Sequence, residues 1–355
     1  MSKKITVALL FGGRSAEHEV SIRSAAAVYR NLDPSRYRIV SLYLDREGRW
    51  KRVSSPLAKP GELKRGRAHP FLPWQVRTTG RPLRADVYFL VLHGPYGEDG
   101  TIQGLLEMAD VPYIGPGVLA SSTGMDKAVM KVLFQAKGLL VSPWRVVRDF
   151  EWESDRRGIL SGLRRAFAWP VFVKPANMGS SVGISKVRSA AALGPALDQA
   201  FRYDRKIVIE RGILGREIEC SVLGNERPEA SLPGEVIPYN EFYDYKDKYE
   251  DGRTRFGIPA DLPAAVVRKI RVQAIAAFQA CEAEGLARVD FFLEEGTGDL
   301  YVNEINTLPG FTEISMYPKL WAVSGLPFGL LLDRLIELGL DRHRSKRRCT
   351  AKDVA

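Results

Sequence analysis

The chain has 355 residues, 45% hydrophobic and 26% charged, enough for two or three domains that each bury a core. Its longest apolar runs, residues 5–11 and 87–92, fall far short of the ~18 residues that cross a bilayer, so no transmembrane helix is expected. The formal charge of +10 is concentrated: residues 49–84 carry +9 and residues 341–355 carry +4, leaving −3 elsewhere, which argues against a nucleic-acid-binding face.

Lys3-Lys4 before an apolar run raises the question of a signal peptide. The run is short and Gly12-Gly13-Arg14 follows at once, so residues 5–11 read as a buried first strand. A helix is expected over 20–32, stopped by Pro34, then a strand over 39–44. The basic stretch 49–84 reads as a solvated insertion, with an anionic partner as the alternative. A third strand spans 86–92, a helix 101–109 and a short extended piece 111–114. This β-α-β order predicts a Rossmann-like parallel-sheet α/β domain over residues 1–122, with ligands at the carboxyl ends of its strands. Loops 12–21 and 93–100 sit there.

A central α+β unit is expected over 123–214: a helix over 125–137, a strand over 169–174, the Gly- and Ser-rich loop 175–183, a strand over 184–187, a helix over 189–201 and a strand over 207–210. A third unit, 215–340, holds strands over 217–223 and 234–238, an aromatic polar lid over 239–257 and a helix over 263–283. Strands over 286–294 and 300–305 follow, joined by a hairpin, and a helix over 326–340 closes the unit. Residues 341–355 read as a disordered basic tail. Cys220, Cys281 and Cys349 are odd in number and far apart, which fits a reducing cytoplasm rather than a disulfide scaffold or a Cys-based zinc site.

The sharpest chemical signal lies in the last two strands. Side chains two apart on a strand share a face, so Arg288 points with Asp290, and Glu304 with Asn306. Pairing of the strands would join these groups into one polar cluster. Carboxylate and amide oxygens without His or Cys suit Mg²⁺. A surface ion-pair set is the alternative. Lys174 and the following Asn177-Met178-Gly179-Ser180-Ser181-Val182-Gly183 suit a phosphate, though an ordinary hairpin reads the same way. Glu17, after Gly12-Gly13, is either a helix-start acid or a carboxylate presented to a substrate ammonium. His93 occupies a strand-end loop. A phosphate loop, an acidic Mg²⁺ site and a water-excluding lid together suit phosphoryl transfer from ATP.

Eight segments carry a resemblance that runs from residue 4 to residue 343: GGRSAEHEVS, HGPYGEDGTIQG, GMDK, VKPANMGSSVG, GREIECSVLGN, FYDYKDKY, ARVD and NEINTLPGFTEISMYPKLW. The chain resembles the D-alanine–D-alanine ligases, of the ATP-grasp fold. The resemblance implies ATP-dependent joining of two D-alanines through an acyl phosphate, for peptidoglycan precursors, by a cytoplasmic homodimer with no nucleic-acid or membrane partner. It implies that Glu17 holds the first D-alanine's ammonium and that Ser180 and Tyr249 bond with Glu17. It places His93 near the first substrate's carboxylate and Ser315 and Met316 at the second's. Lys127, Lys174, Ser181 and Lys248 would serve the ATP phosphates. Glu210, Arg211 and Ile213 would line the adenine, with Phe242 packing on it and Glu217 on the ribose. Asp290, Glu304 and Asn306 would hold two Mg²⁺, for which Mn²⁺ could substitute, and a monovalent cation is a further candidate. Arg288 and the Gly310 N–H would stabilise the oxyanion. Another ATP-dependent carboxylate–amine ligase and a nucleotide-dependent regulatory protein are the competing readings.

Overall fold

The computed structural model describes residues 3–68, 85–238 and 254–349. The first sheet has the order β4-β3-β2-β1-β5. Strands β1 (Ile5–Gly12), β2 (Tyr37–Leu44) and β5 (Val87–Val91) are parallel, as the β-α-β reading requires. Their central residues, Val7 to Phe11 and Val87 to Val91, are almost fully buried, which explains their unbroken apolar runs. Helix α1 (His18–Asn31) covers one face.

The described part of the basic insertion, residues 49–68, is more ordered than expected. Strand β3 (Trp50–Val53) adds antiparallel to β2, and β4 (Arg67–Ala68) pairs with β3. A short helix, α2 (Pro60–Lys64), lies between them. Asp45, at the end of β2, binds Arg49 Nε at 2.9 Å and Lys51 Nζ at 3.0 Å. Burial pushes its carboxyl up, but these cations and the Arg49 N–H outweigh it and hold the group at about 2. Part of the segment's positive charge is therefore matched within the fold.

Helix α3 (Thr101–Met108) leads to α4 (Val118–Met125) and α5 (Lys127–Ala136). The expected helix over 125–137 is α5 and starts two residues later, because Asp126 caps it, accepting from Ala128 N at 3.0 Å and Val129 N at 3.1 Å. Strand β6 (Trp144–Arg148) and helices α6 (Asp149–Ser154) and α7 (Arg156–Ala166) were not anticipated. The central sheet is antiparallel, in the order β6-β9-β7-β8, with β7 (Val171–Pro175), β8 (Ser185–Val187) and β9 (Lys206–Arg211). Helix α8 (Leu193–Ala200) packs on it.

In the third sheet β10 (Gly215–Gly224) lies between β12 (Gly234–Ile237) and β14 (Gly285–Glu294). The short β11 (Glu229–Ala230) folds back on β10, and β13 (Arg255–Gly257) extends the edge beyond β12. The expected hairpin joins β14 to β15 (Leu300–Asn306), its turn carrying Gly296 and Gly298 at positive φ. Helix α9 (Ala264–Ala280) covers this sheet through Ile270, Ala274, Ala277 and Phe278.

After α10 (Met316–Val323), helix α11 (Phe328–Cys349) returns to the first sheet. Its Leu331, Leu332, Leu335 and Ile336 are buried in the same core as β1 and β5. Residues 341–349 are helical, correcting the expected disordered tail. The Arg342 guanidinium lies 4.1 Å from the Tyr113 ring centre, and Lys346 pairs with Glu107. Among the described residues, no helix is long and apolar enough to cross a membrane.

Candidate active site

Loops at the carboxyl ends of β1 and β5 are fastened together where Ser15 Oγ donates to His93 O at 2.6 Å. This sets Glu17, the residue before α1, against the central unit. Ser180 Oγ donates to Glu17 Oε1 at 2.5 Å, joining residues 163 positions apart. Ser180, Ser181 and Gly183 all adopt positive φ, so the loop after β7 is tightly folded.

Glu17 sits in a glycine-walled slot. A Cβ on Gly94 or on Gly179 would lie 2.7 Å from Glu17 Oε2. Gly179→Ala is therefore expected to push this carboxylate aside while the fold survives, since only a side-chain end must move. If Glu17 holds a substrate ammonium, as the resemblance implies, steady-state kinetics should show KM for that substrate raised about tenfold, with Tm nearly unchanged.

One cavity of about 810 Å³ gathers groups from all three units. Glu17 and His93 line it from the first, Lys127, Lys174, Ser180, Ser181, Glu210, Arg211 and Ile213 from the second. Glu217, Arg288, Glu304, Asn306, Gly310, Ser315 and Met316 line it from the third. Of the expected residues, Tyr249, Phe242 and Lys248 lie outside the described residues. Asp290 is not in the lining: it is 2% exposed and stands just behind the wall.

The predicted strand pairing is present, with a register shift between Asp290 and Phe291. Arg288 lies opposite Asn306 and Asp290 opposite Glu304. The Arg288 guanidinium grips Asp290 with two bonds of 2.7 Å, and Asn306 Nδ2 donates to Asp290 Oδ2 at 2.9 Å. Burial opposes the charge on Arg288, but Asp290 and then Glu219 more than offset it and keep the guanidinium protonated. Glu219, on β10, lies 3.1 Å from Arg288 Nε.

The residues present fit Mg²⁺ by donor chemistry. The set is two carboxylates and an amide whose nitrogen is already engaged with Asp290, which leaves its oxygen as the remaining ligating atom. Among the described residues, no group of three His, Cys, Asp or Glu side chains stands arranged around a metal-sized point.

On the phosphate side, Lys127 Nζ donates to Met178 O at 2.7 Å, and burial lowers its pKa. Lys174 pairs with Glu210, whose other oxygen lies 2.7 Å from Lys131 Nζ. Burial pushes the Glu210 carboxyl up, but Lys131 and Lys174 together hold it at about 2. Arg211 turns to Glu294, at 3.0 Å, and to the Tyr301 hydroxyl, at 3.0 Å.

His93 lines the cavity, yet both ring nitrogens are bonded within the protein. Nδ1 lies 2.9 Å from Leu308 O, which can only accept, so Nδ1 carries the proton. Nε2 then accepts from Ser24 Oγ at 3.1 Å, and that oxygen takes the Phe311 N–H at 3.2 Å. Burial lowers the His93 pKa and keeps the ring neutral. The residue thus fixes the 308–311 turn that presents Gly310. Ser315 Oγ accepts from Thr312 N at 2.9 Å, and Met316 packs with Val236 and Leu320.

Three site residues escaped the sequence reading. Lys131 follows Lys127 by one helical turn, and Glu219 follows Glu217 on the same strand face. Glu98 is half-buried among Gly94, Lys127 and Glu17, accepting from Gly94 N at 2.9 Å. Desolvation, then the neighbouring Glu17 charge, raises its carboxyl pKa.

Comparison with known proteins agrees along the chain. The family described as D-ala D-ala ligase N-terminus matches residues 6–116, and D-ala D-ala ligase C-terminus matches residues 133–337. D-alanine–D-alanine ligases of Heliobacterium modesticaldum and Solibacter usitatus are each 50% identical to it. The first alignment covers 97% of both chains, the second 97% of this chain and 98% of the relative. The solved D-alanine–D-alanine ligase of Coxiella burnetii superposes with a TM-score of 0.87 at 38% identity, over 98% of this chain and 97% of that one. The VanG D-Ala:D-Ser ligase of Enterococcus faecalis superposes with a TM-score of 0.84 at 32% identity, over 95% and 100%. The chain belongs to the D-alanine–D-alanine ligase family and has its ATP-grasp fold.

Proposed function

We propose that this enzyme joins two D-alanines into D-alanyl-D-alanine for peptidoglycan synthesis. The γ-phosphoryl group of ATP passes to the carboxylate of the first D-alanine, leaving ADP. The amine of the second attacks the acyl carbon, and phosphate departs from the tetrahedral intermediate. The observation that carries this reading is the single cavity in which Glu17 and Ser180 meet, faced by Lys127, Lys174 and Arg288.

Glu17 receives the first ammonium. Lys127, Lys174 and Ser181 take the phosphates, with Lys248 from the 239–257 segment. Glu210, Arg211, Ile213 and Phe242 surround the adenine, and Glu217 meets the ribose. In this role Glu210 acts through its two lysines and Arg211 through its backbone, because their side chains are otherwise engaged. Asp290, Glu304 and Asn306 hold two Mg²⁺, which neutralise phosphate charge when bound; Mn²⁺ substitutes, and a monovalent cation is a further activator. Arg288 and the Gly310 N–H face the oxyanion that develops at the acyl carbon. His93 holds the Gly310 turn beside the first substrate's carboxylate, and Ser315 and Met316 border the second D-alanine. Tyr249 completes a hydrogen-bonded set with Ser180 and Glu17. The enzyme works as a cytoplasmic homodimer.

Phosphate release from MgATP, with product identified by mass, is the test. D-alanine alone should give the dipeptide, and Tyr249→Phe should lower kcat. No turnover with D-alanine from protein that binds ATP would overturn the assignment. The likeness to a solved D-Ala:D-Ser ligase makes D-serine the acceptor to compare. Preferential mixed product would reassign the second-substrate pocket.

A further inference from the structure

The third sheet carries a row of three acids, one of which the proposed metal set does not account for. Glu219 on β10 is the direct cross-strand partner of Asp290 on β14, and Asp290 is the direct partner of Glu304 on β15. Direct partners in an antiparallel sheet point to the same face, about 5 Å apart. Three carboxylates therefore stand in line across three neighbouring strands. Glu219 is 3% exposed and Asp290 2% exposed, so their repulsion is poorly screened.

Arg288 stands among them. Its Nε lies 2.7 Å from Asp290 Oδ1 and 3.1 Å from Glu219 Oε2, and its second contact to Asp290 is 2.7 Å. Both oxygens of Asp290 are thus held by the guanidinium. A divalent cation that takes an Asp290 oxygen competes with Arg288 for it. Released from Asp290 alone, a guanidinium would lose the partner that aims it into the cavity. Glu219 supplies a second anchor at the same Nε, from the neighbouring strand.

We infer that Glu219 is a positioning residue: it retains Arg288 at the reaction centre while Asp290 gives its carboxylate to a divalent cation. This rests on the roles proposed above for Arg288 and Asp290. It also explains why a third acid occupies this row, since three acids and one guanidinium leave a net charge of −2 for the cation to meet.

Glu219→Gln keeps the shape and removes the charge, and Glu219→Asp keeps the charge. The reporter is Mn²⁺, with the non-hydrolysable ATP analogue adenylyl imidodiphosphate saturating. Unbound Mn²⁺ is read by electron paramagnetic resonance, and kcat is measured separately with MgATP. Glu219→Gln should weaken Mn²⁺ about tenfold and lower kcat by more than KM for D-alanine changes. Glu219→Asp should recover most of the Mn²⁺ affinity. Asp290→Asn serves as the reference. If it leaves Mn²⁺ binding intact, the metal assignment itself fails. If it abolishes binding while Glu219→Gln binds Mn²⁺ like the parent, only the role of Glu219 is overturned. Loss of thermal stability in Glu219→Gln with unchanged Mn²⁺ affinity, or failure of both Glu219 variants to fold, makes the residue merely structural and also overturns it.

Discussion

On the oxyanion role proposed for Arg288, Arg288→Met is expected to lower kcat by about two to three orders of magnitude, the range for removing a preorganised donor. It also costs about 3–5 kcal/mol of stability, because Asp290 and Glu219 are left buried without their cation. The two effects separate by conservative replacement. Arg288→Lys restores a charge but cannot reproduce the two parallel bonds to Asp290, so it recovers stability more than rate. Mg²⁺ supplies a further signature. It should raise the Tm of Arg288→Met more than that of the parent, since it replaces the lost positive charge. Thermal melts with and without Mg²⁺ check this. Equal increments would separate the acid row from the metal site.

Lys131→Met is the second large effect, and it falls on a residue with no assigned contact to any substrate. Lys131 and Glu210 are 3% and 4% exposed at their side chains, so the substitution strips a buried carboxylate of one of its two cations. The expected cost is about 3 kcal/mol or more. Lys174 becomes the sole partner of Glu210 and is held more firmly away from an incoming phosphate. KM for ATP should rise about tenfold, while kcat changes less.

The pH dependence follows in sign. The Glu210 carboxyl is held below its ordinary value, at about 2, so its stabilising contribution is fully present above the unfolded-state value near 4.5. It is lost as pH falls from there through about 2. The Tm gap between parent and Lys131→Met should therefore be widest above pH ~5 and narrow on acidification. A gap that stays constant down to pH ~3 would mean the lysine acts through packing alone.

What could be read in advance was what lies within a few residues of a motif. Alternation alone set Arg288 with Asp290 and Glu304 with Asn306, but the two pairs share one face only through a register shift between Asp290 and Phe291, which no alternation shows. The loop after β7 was visible because its Gly and Ser residues must take unusual backbone angles. The family resemblance then supplied roles that no spacing could give. Glu219 was hidden because its partners come from another strand, about 70 residues on. Lys131 was hidden because a lysine on an amphipathic helix ordinarily reads as surface, and only the packing of α5 against β9 buries it. Helix α7 was hidden by Gly158 and Gly162 and by its single buried residue, Leu163. The last turns of α11 looked like a loose basic tail because the groups that hold them, Tyr113 and Glu107, lie more than 200 residues earlier.

That return of α11 to the first sheet bears on how the polypeptide matures during synthesis. Strands β1, β2 and β5 emerge from the ribosome well before Leu331, Leu332, Leu335 and Ile336, which complete their core. Domains generally acquire structure in order of emergence, at about 5–20 residues per second. Here the leading unit cannot close its apolar surface until some 240 further residues have followed β5. For ~12–50 s it presents that surface to solvent or to a chaperone, so the nascent chain is most aggregation-prone in this unit.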